Sequence, residues 1–76
     1  MEVKVYSTQT CSWCRAAKDY LDSKNIPYQS LDVGASAPAR EEMVKLTGQM
    51  GVPVIVVDGE AVIGFDQEKI NALLGI

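Results

Sequence analysis

The sequence predicts an α/β protein with a four-stranded mixed sheet and helices on both faces, in the order βαβ-α-ββα. Three observations predict it. Apolar residues alternate in some segments and recur every three to four residues in others. Asp58-Gly59 separates two β-branched runs, the strongest short-range hairpin signal. Pro27, Pro38 and Pro53 each fall at a junction between segments. The 76 residues are expected to form one domain over the whole chain. A chain this short buries only about 60% of its unfolded surface, so its stability margin is thin. Its 47% apolar content still suffices for one core.

Val3, Val5 and Tyr6 predict the first strand. Ser12 to about Lys24 reads as a helix, because Trp13, Ala16, Ala17, Tyr20 and Leu21 recur at helical spacing. Asn25 ends it, and Ile26-Pro27 prevents its continuation. Tyr28 to Val33 is a second strand, with Leu31 and Val33 alternating against Ser30 and Asp32. Gly34 to Ala37 is a connector. Pro38 then falls in a helix first turn, where its missing N–H does no harm. That helix runs to about Leu46, with Met43, Val44 and Leu46 apolar and Gly48 as its stop. Val54 to Val57 is a buried strand, followed by the Asp58-Gly59 turn and a strand over Glu60 to Ile63. Asp66 caps a last helix, Gln67 to Leu74, whose Ile70, Leu73 and Leu74 face inward. The βαβ half requires a parallel pair with a right-handed crossover, and the hairpin is antiparallel.

Charge excludes several functions. Seven basic residues stand against ten acidic ones, for a net charge of −3, and the basic residues are scattered. A nucleic-acid binder needs a basic stripe, so none is expected as a partner. The opening MEVKVY has neither a charged region nor a long apolar run, so no signal peptide is expected. No segment reaches the roughly 20 apolar residues of a membrane span. The expected location is the cytoplasm, where thiols stay reduced. Histidine is absent, which excludes His-based catalysis and any zinc site with a His ligand.

The chemistry concentrates in Ser7 to Lys18, STQTCSWCRAAK, which holds both cysteines of the chain. Cys11 falls at the end of the first loop and Cys14 one turn inside the helix. First-turn N–H groups lack helical partners and the helix dipole is positive there. Arg15 and Lys18 add positive charge. All of this favours a thiolate at Cys11, the attacking form in disulfide exchange. Cys14 shares a face with Ala17 and Leu21, the core face, and should be more buried. Three other readings stand beside a redox pair. They are two ordinary core cysteines, a zinc half-site completed by a second chain, and a permanent disulfide. Structural zinc wants four ligands, and a loop this short gains little from closure. A C-x-x-C beside a βαβ pattern reads as a redox motif.

With VYSTQTCSWC at the first strand and helix, AREEMVKLTGQMGVPVIVVDG from the second helix to the hairpin, and IGFD before the last helix, the chain resembles the glutaredoxins of the thioredoxin-fold superfamily. The resemblance covers essentially every residue. It implies a dithiol disulfide oxidoreductase, active in electron transport and cell redox homeostasis, that works as a monomer with glutathione as co-substrate and without bound metal. Cys11 would attack protein or glutathione mixed disulfides and Cys14 would resolve them. Pro53 would be the family's cis-proline, leaving the Val52 backbone open to pair with substrate. Gly64, Phe65 and Asp66 would hold the glutamyl end of glutathione. Gln49 would donate to its glycyl end, and Trp13 would form an apolar wall beside the sulfur.

Two departures stand out. Thr8 and Met50 occupy positions where many glutathione-using members carry a cation. This motivates an alternative, a redoxin recharged by thioredoxin reductase. Ser12 stands where proline is commonest. Some members with serine there hold a [2Fe–2S] cluster between two subunits with glutathione, which is a further alternative.

Overall fold

A computed structural model describes residues 2–76. The elements run β1 (Val3–Ser7), α1 (Ser12–Ser23), β2 (Gln29–Asp32), α2 (Ala37–Thr47), β3 (Val54–Val57), β4 (Glu60–Ile63) and α3 (Gln67–Leu74). The sheet order is β2-β1-β3-β4. β1 pairs parallel with β2, placing Tyr6 beside Leu31, and antiparallel with β3, placing Val5 beside Ile55. β3 and β4 are antiparallel, with Val57 opposite Glu60. This is the thioredoxin-like arrangement that the sequence predicts.

The alternation along β1 decides which helix covers which face. Val3 and Val5 point to one side, where Ala17 and Leu21 of α1 and Ile70 and Leu74 of α3 bury them. Tyr6 points to the other, against Met43 and Ala39 of α2 with Val54 and Val56. All four β3 residues are buried. A central strand covered on both faces reads as such a continuous apolar run.

Local chemistry sets most boundaries. Lys24 closes α1, and Asn25 follows with φ at +56°, a left-handed conformation that asparagine tolerates. β2 is shorter than the predicted Tyr28 to Val33. The Val33 N–H still donates to the Ser7 carbonyl at 2.9 Å, but Asp32 accepts from Gly34 N and Ala35 N and turns the chain. Ser36 caps α2 by accepting from Ala39 N, where the sequence predicts only a connector. Of the expected apolar residues of α2, Met43 is buried, Val44 half-buried and Leu46 exposed. In α3, Ile70 and Leu74 are buried and Leu73 half-buried. Asp58 and Gly59 both have positive φ, +48° and +88°, as the hairpin turn requires. No helix of the described residues is long and apolar enough to cross a membrane.

Candidate active site

The site is built where the carboxyl ends of parallel β1 and β2 meet the start of α1. Open α/β sheets place ligands at such ends. Cys11 is the N-cap of α1, in extended conformation, and its sulfur accepts the Cys14 N–H at 3.2 Å. The helix start therefore aims a backbone donor and its positive end at this sulfur. The carboxyl-side groups of the cap, Ser12 and Trp13, are exposed, and Cys11 itself is partly exposed. Both cysteines are free thiols.

Cys14 is only 1% exposed and packs with the α1 face that enters the core. Burial pushes its thiol up to about 11, and its hydrogen bond with Cys11 adds to the rise. A backbone hydrogen bond from Thr8 and the charge of Lys18 oppose it. At neutral pH, Cys14 is a protonated thiol held behind the exposed sulfur.

The opposing wall comes from the segment before β3. The Val52–Pro53 peptide is cis, and the Val52 carbonyl oxygen lies 4.0 Å from Cys11 Sγ. Pro53 is buried, and its carbonyl accepts the Gly64 N–H at 2.8 Å. Gly64 adopts φ of +82°, a conformation that a residue with a Cβ resists, and so β4 ends against the proline. Trp13, Val52, Pro53, Gly64 and Phe65 line an open groove of about 270 Å³. Trp13 is 66% exposed, so its place in the helical pattern does not make it a core residue. Phe65 is anchored by Tyr20, ring centroids 5.8 Å apart, and the Tyr20 hydroxyl donates to Asn71.

The glutaredoxin family profile matches residues 3–62. The chain belongs to the glutaredoxin family. A glutaredoxin-like 8.6 kDa protein from the rubredoxin operon of Clostridium pasteurianum is 46% identical over 72 residues, 95% of this chain and 96% of its own. Glutaredoxin 3 of Escherichia coli is 39% identical over 64 residues, covering 84% of this chain and 77% of its own. Among solved structures, a mutant of the thioredoxin-like protein BC3987 superposes with a TM-score of 0.93 at 35% identity, over 99% of this chain and 96% of that one. Glutaredoxin membership makes the chain a thiol–disulfide redox protein.

Within the glutaredoxin frame, the remaining site residues divide. Asp66 caps α3, accepting from Lys69 N at 3.2 Å, and with Glu68 it places two carboxylates at that helix start. Gln49 is engaged by its own loop. Its amide nitrogen donates to Gly51 O at 3.2 Å and lies 3.4 Å from the Thr47 hydroxyl, and its oxygen accepts Gly51 N. It shapes the approach to the cis bond, and offers its donor to a ligand only by leaving those partners. Met50 is exposed. Neither the groove beside Trp13 nor the adjoining surface of Ile63, Phe65, Asp66, Gln67 and Glu68 is lined by a lysine or arginine. No group of three or more His, Cys, Asp or Glu side chains among the described residues is placed to hold a metal ion.

Two features had no sequence signal beyond the charge that Arg15 and Lys18 bring near Cys11. A second groove of about 550 Å³ borders Cys11, with Thr8, Thr10, Arg15, Lys18, Asp22 and Tyr28 among its lining. The Tyr6 hydroxyl donates to Glu42, which Lys4 also meets at 3.3 Å. Burial first, then that hydrogen bond, raises the Tyr6 phenol, and the same bond with the Lys4 contact holds Glu42 below its ordinary value. These partners lie 36 and 38 residues apart, which local patterning cannot connect.

Proposed function

We propose that Cys11 attacks protein or glutathione mixed disulfides, that Cys14 resolves the resulting intermediate, and that glutathione recharges the enzyme. The observation that carries this reading is the contrast between the two sulfurs. One is partly exposed, over a helix start and facing the cis Val52–Pro53 bond. The other is buried and protonated. In the first step the Cys11 thiolate bonds to one substrate sulfur, the substrate S–S bond breaks, and the departing thiolate takes a proton from water. In the second, Cys14 gives up its proton and attacks the Cys11 sulfur. A Cys11–Cys14 disulfide forms and the second thiol leaves. Two glutathione molecules then reduce that disulfide and become oxidised glutathione.

The groove between Trp13 and Phe65 supplies the substrate seat, with Val52, Pro53, Gly64, Phe65 and Asp66 in the roles the family resemblance implies. Gln49 orders the loop that leads into it. We place this work in the cytoplasm, by one domain acting as a monomer, because the attacking sulfur has to be kept reduced between turnovers.

The test is turnover of a glutathionylated peptide. Cys11→Ser abolishes it, and activity retained in that variant overturns the reading. Cys14→Ser keeps deglutathionylation and loses reduction of protein disulfides. Coupling the assay to glutathione with glutathione reductase, or to thioredoxin reductase, identifies the reductant. Turnover with thioredoxin reductase alone removes glutathione from the proposal.

A further inference from the structure

Cys11 lines one groove and lies 4.0 Å from the Val52 carbonyl that borders another of unlike character. The apolar one beside Trp13 and Pro53 carries no lysine or arginine, whereas the larger one that Cys11 lines carries Arg15 and Lys18. Neither cation forms an ion pair. Among the described residues, only Lys4 forms ion pairs. Their placement also runs against the helix that bears them. Arg15, Lys18, Asp19 and Asp22 share one face of α1 at spacings of three and four. The bases lie toward the positive N-terminal end and the acids toward the negative C-terminal end. α1 has no acid in its first turn and no base in its last. Helix electrostatics favours the reverse order. A local rule broken on the wall of a groove beside the reactive sulfur marks a functional use of those charges.

A disulfide's two halves diverge at a dihedral near 90°, so two grooves around one sulfur can each take one half. When the half that becomes bonded to Cys11 lies against Trp13 and Pro53, the departing half needs its own seat. We propose that Arg15 and Lys18 form that seat and make the enzyme selective for disulfides whose departing thiol carries a carboxylate near its sulfur. This rests on the attacking role of Cys11. The cations attract the carboxylate, and the same positive charge stabilises the thiolate that forms as the S–S bond breaks. Nothing is oxidised or reduced beyond the exchange itself. One sulfur bond forms at Cys11, one breaks in the substrate, and the departing thiolate takes up a proton from water.

The test compares two oxidants of the reduced protein in single turnover, anionic dithiodipropionate and neutral hydroxyethyl disulfide. The expected result is a ratio of rate constants, anionic over neutral, that falls about 10-fold or more in the Arg15→Gln, Lys18→Gln double variant, a factor of ten being about 1.4 kcal/mol. Both rates can fall, and the ratio is the readout. A ratio unchanged by the double variant overturns the inference. The same variant keeps or raises the melting temperature, since it removes charges that oppose the helix dipole. Failure of the Cys11 reading is separable, because it appears as oxidation that persists in Cys11→Ser. Titration of Cys11→Ser protein with mercaptopropionate and with mercaptoethanol, followed at the Arg15 and Lys18 amides by NMR, then decides the seat by itself. Saturable shifts with the first only support it, and equal responses or none overturn it.

Discussion

Cys11 and Cys14 are three residues apart, yet they belong to two different regions of the molecule. Cys11 belongs to a rim of exposed or half-exposed groups, with Trp13, Val52 and Phe65 around it. Cys14 belongs to the core, on the helix face that carries Ala17 and Leu21 into the packing of β1, β3 and α3. The two sulfurs part because Cys11 is the extended N-cap outside the helix, whereas Cys14 is a helical position on the core-facing side of α1. The difference in burial sets the protonation of Cys14. Desolvation keeps Cys14 protonated, while the cap position keeps a donor on Cys11.

If rim and core are separable, changes to one should leave the other intact. Leu21→Ala, at a site 1% exposed, is expected to cost about 2–5 kcal/mol in urea unfolding. The folded fraction should still react with a neutral disulfide at nearly the wild-type rate. A rate that collapses together with stability breaks the separation.

Alkaline pH is the next largest probe. The Cys14 thiol titrates at its ordinary 9.0 when unfolded and at about 11 when folded. Stability from this group is therefore fully present below pH 9 and is lost as pH rises toward 11, because the unfolded chain releases its proton first. The loss approaches about 2–3 kcal/mol. Melting of the reduced protein between pH 9 and 10 should decline more steeply in wild type than in Cys14→Ser, where the raised Tyr6 and Tyr28 phenols leave a smaller slope. An equal decline in the variant places the titration elsewhere.

Trp13→Ala sharpens the comparison from the rim. With 66% of the residue exposed, the stability change should stay within about 0.5 kcal/mol. KM for a glutathionylated peptide should rise roughly 2- to 10-fold, the loss of one aromatic contact. A large drop in melting temperature with KM unchanged assigns Trp13 to packing instead.

Legibility followed the range of the interaction. The hairpin turn at Asp58-Gly59, the cap at Asp66 and the stop at Gly48 are set by residues within a few positions of one another, and each formed where the pattern put it. The Ser36 cap escaped because no apolar period begins beside it, although a serine two residues before Pro38 was the available sign. β2 falls one residue short of the pattern at each end, and at its carboxyl end Asp32 accepts from Gly34 N and Ala35 N and so ends the strand by a side chain. Gln49 looked like a free donor because sequence does not show that its own loop takes up both ends of its amide.

The sequence by itself determined the element order, the two-sided sheet and the candidate cysteine pair. Those follow from hydrophobic period, turn chemistry and the two-residue gap, which act over short distances along the chain. Only the tertiary structure decided what surrounds the sulfurs. It brings Val52 and Pro53 across from Cys11 over 41 residues, ties Tyr6 to Glu42 between β1 and α2, and sets Arg15 and Lys18 on one flank of the site with no cation on the other. Burial and charge at a site are sums over groups that meet in space, and their order along the chain does not record that sum.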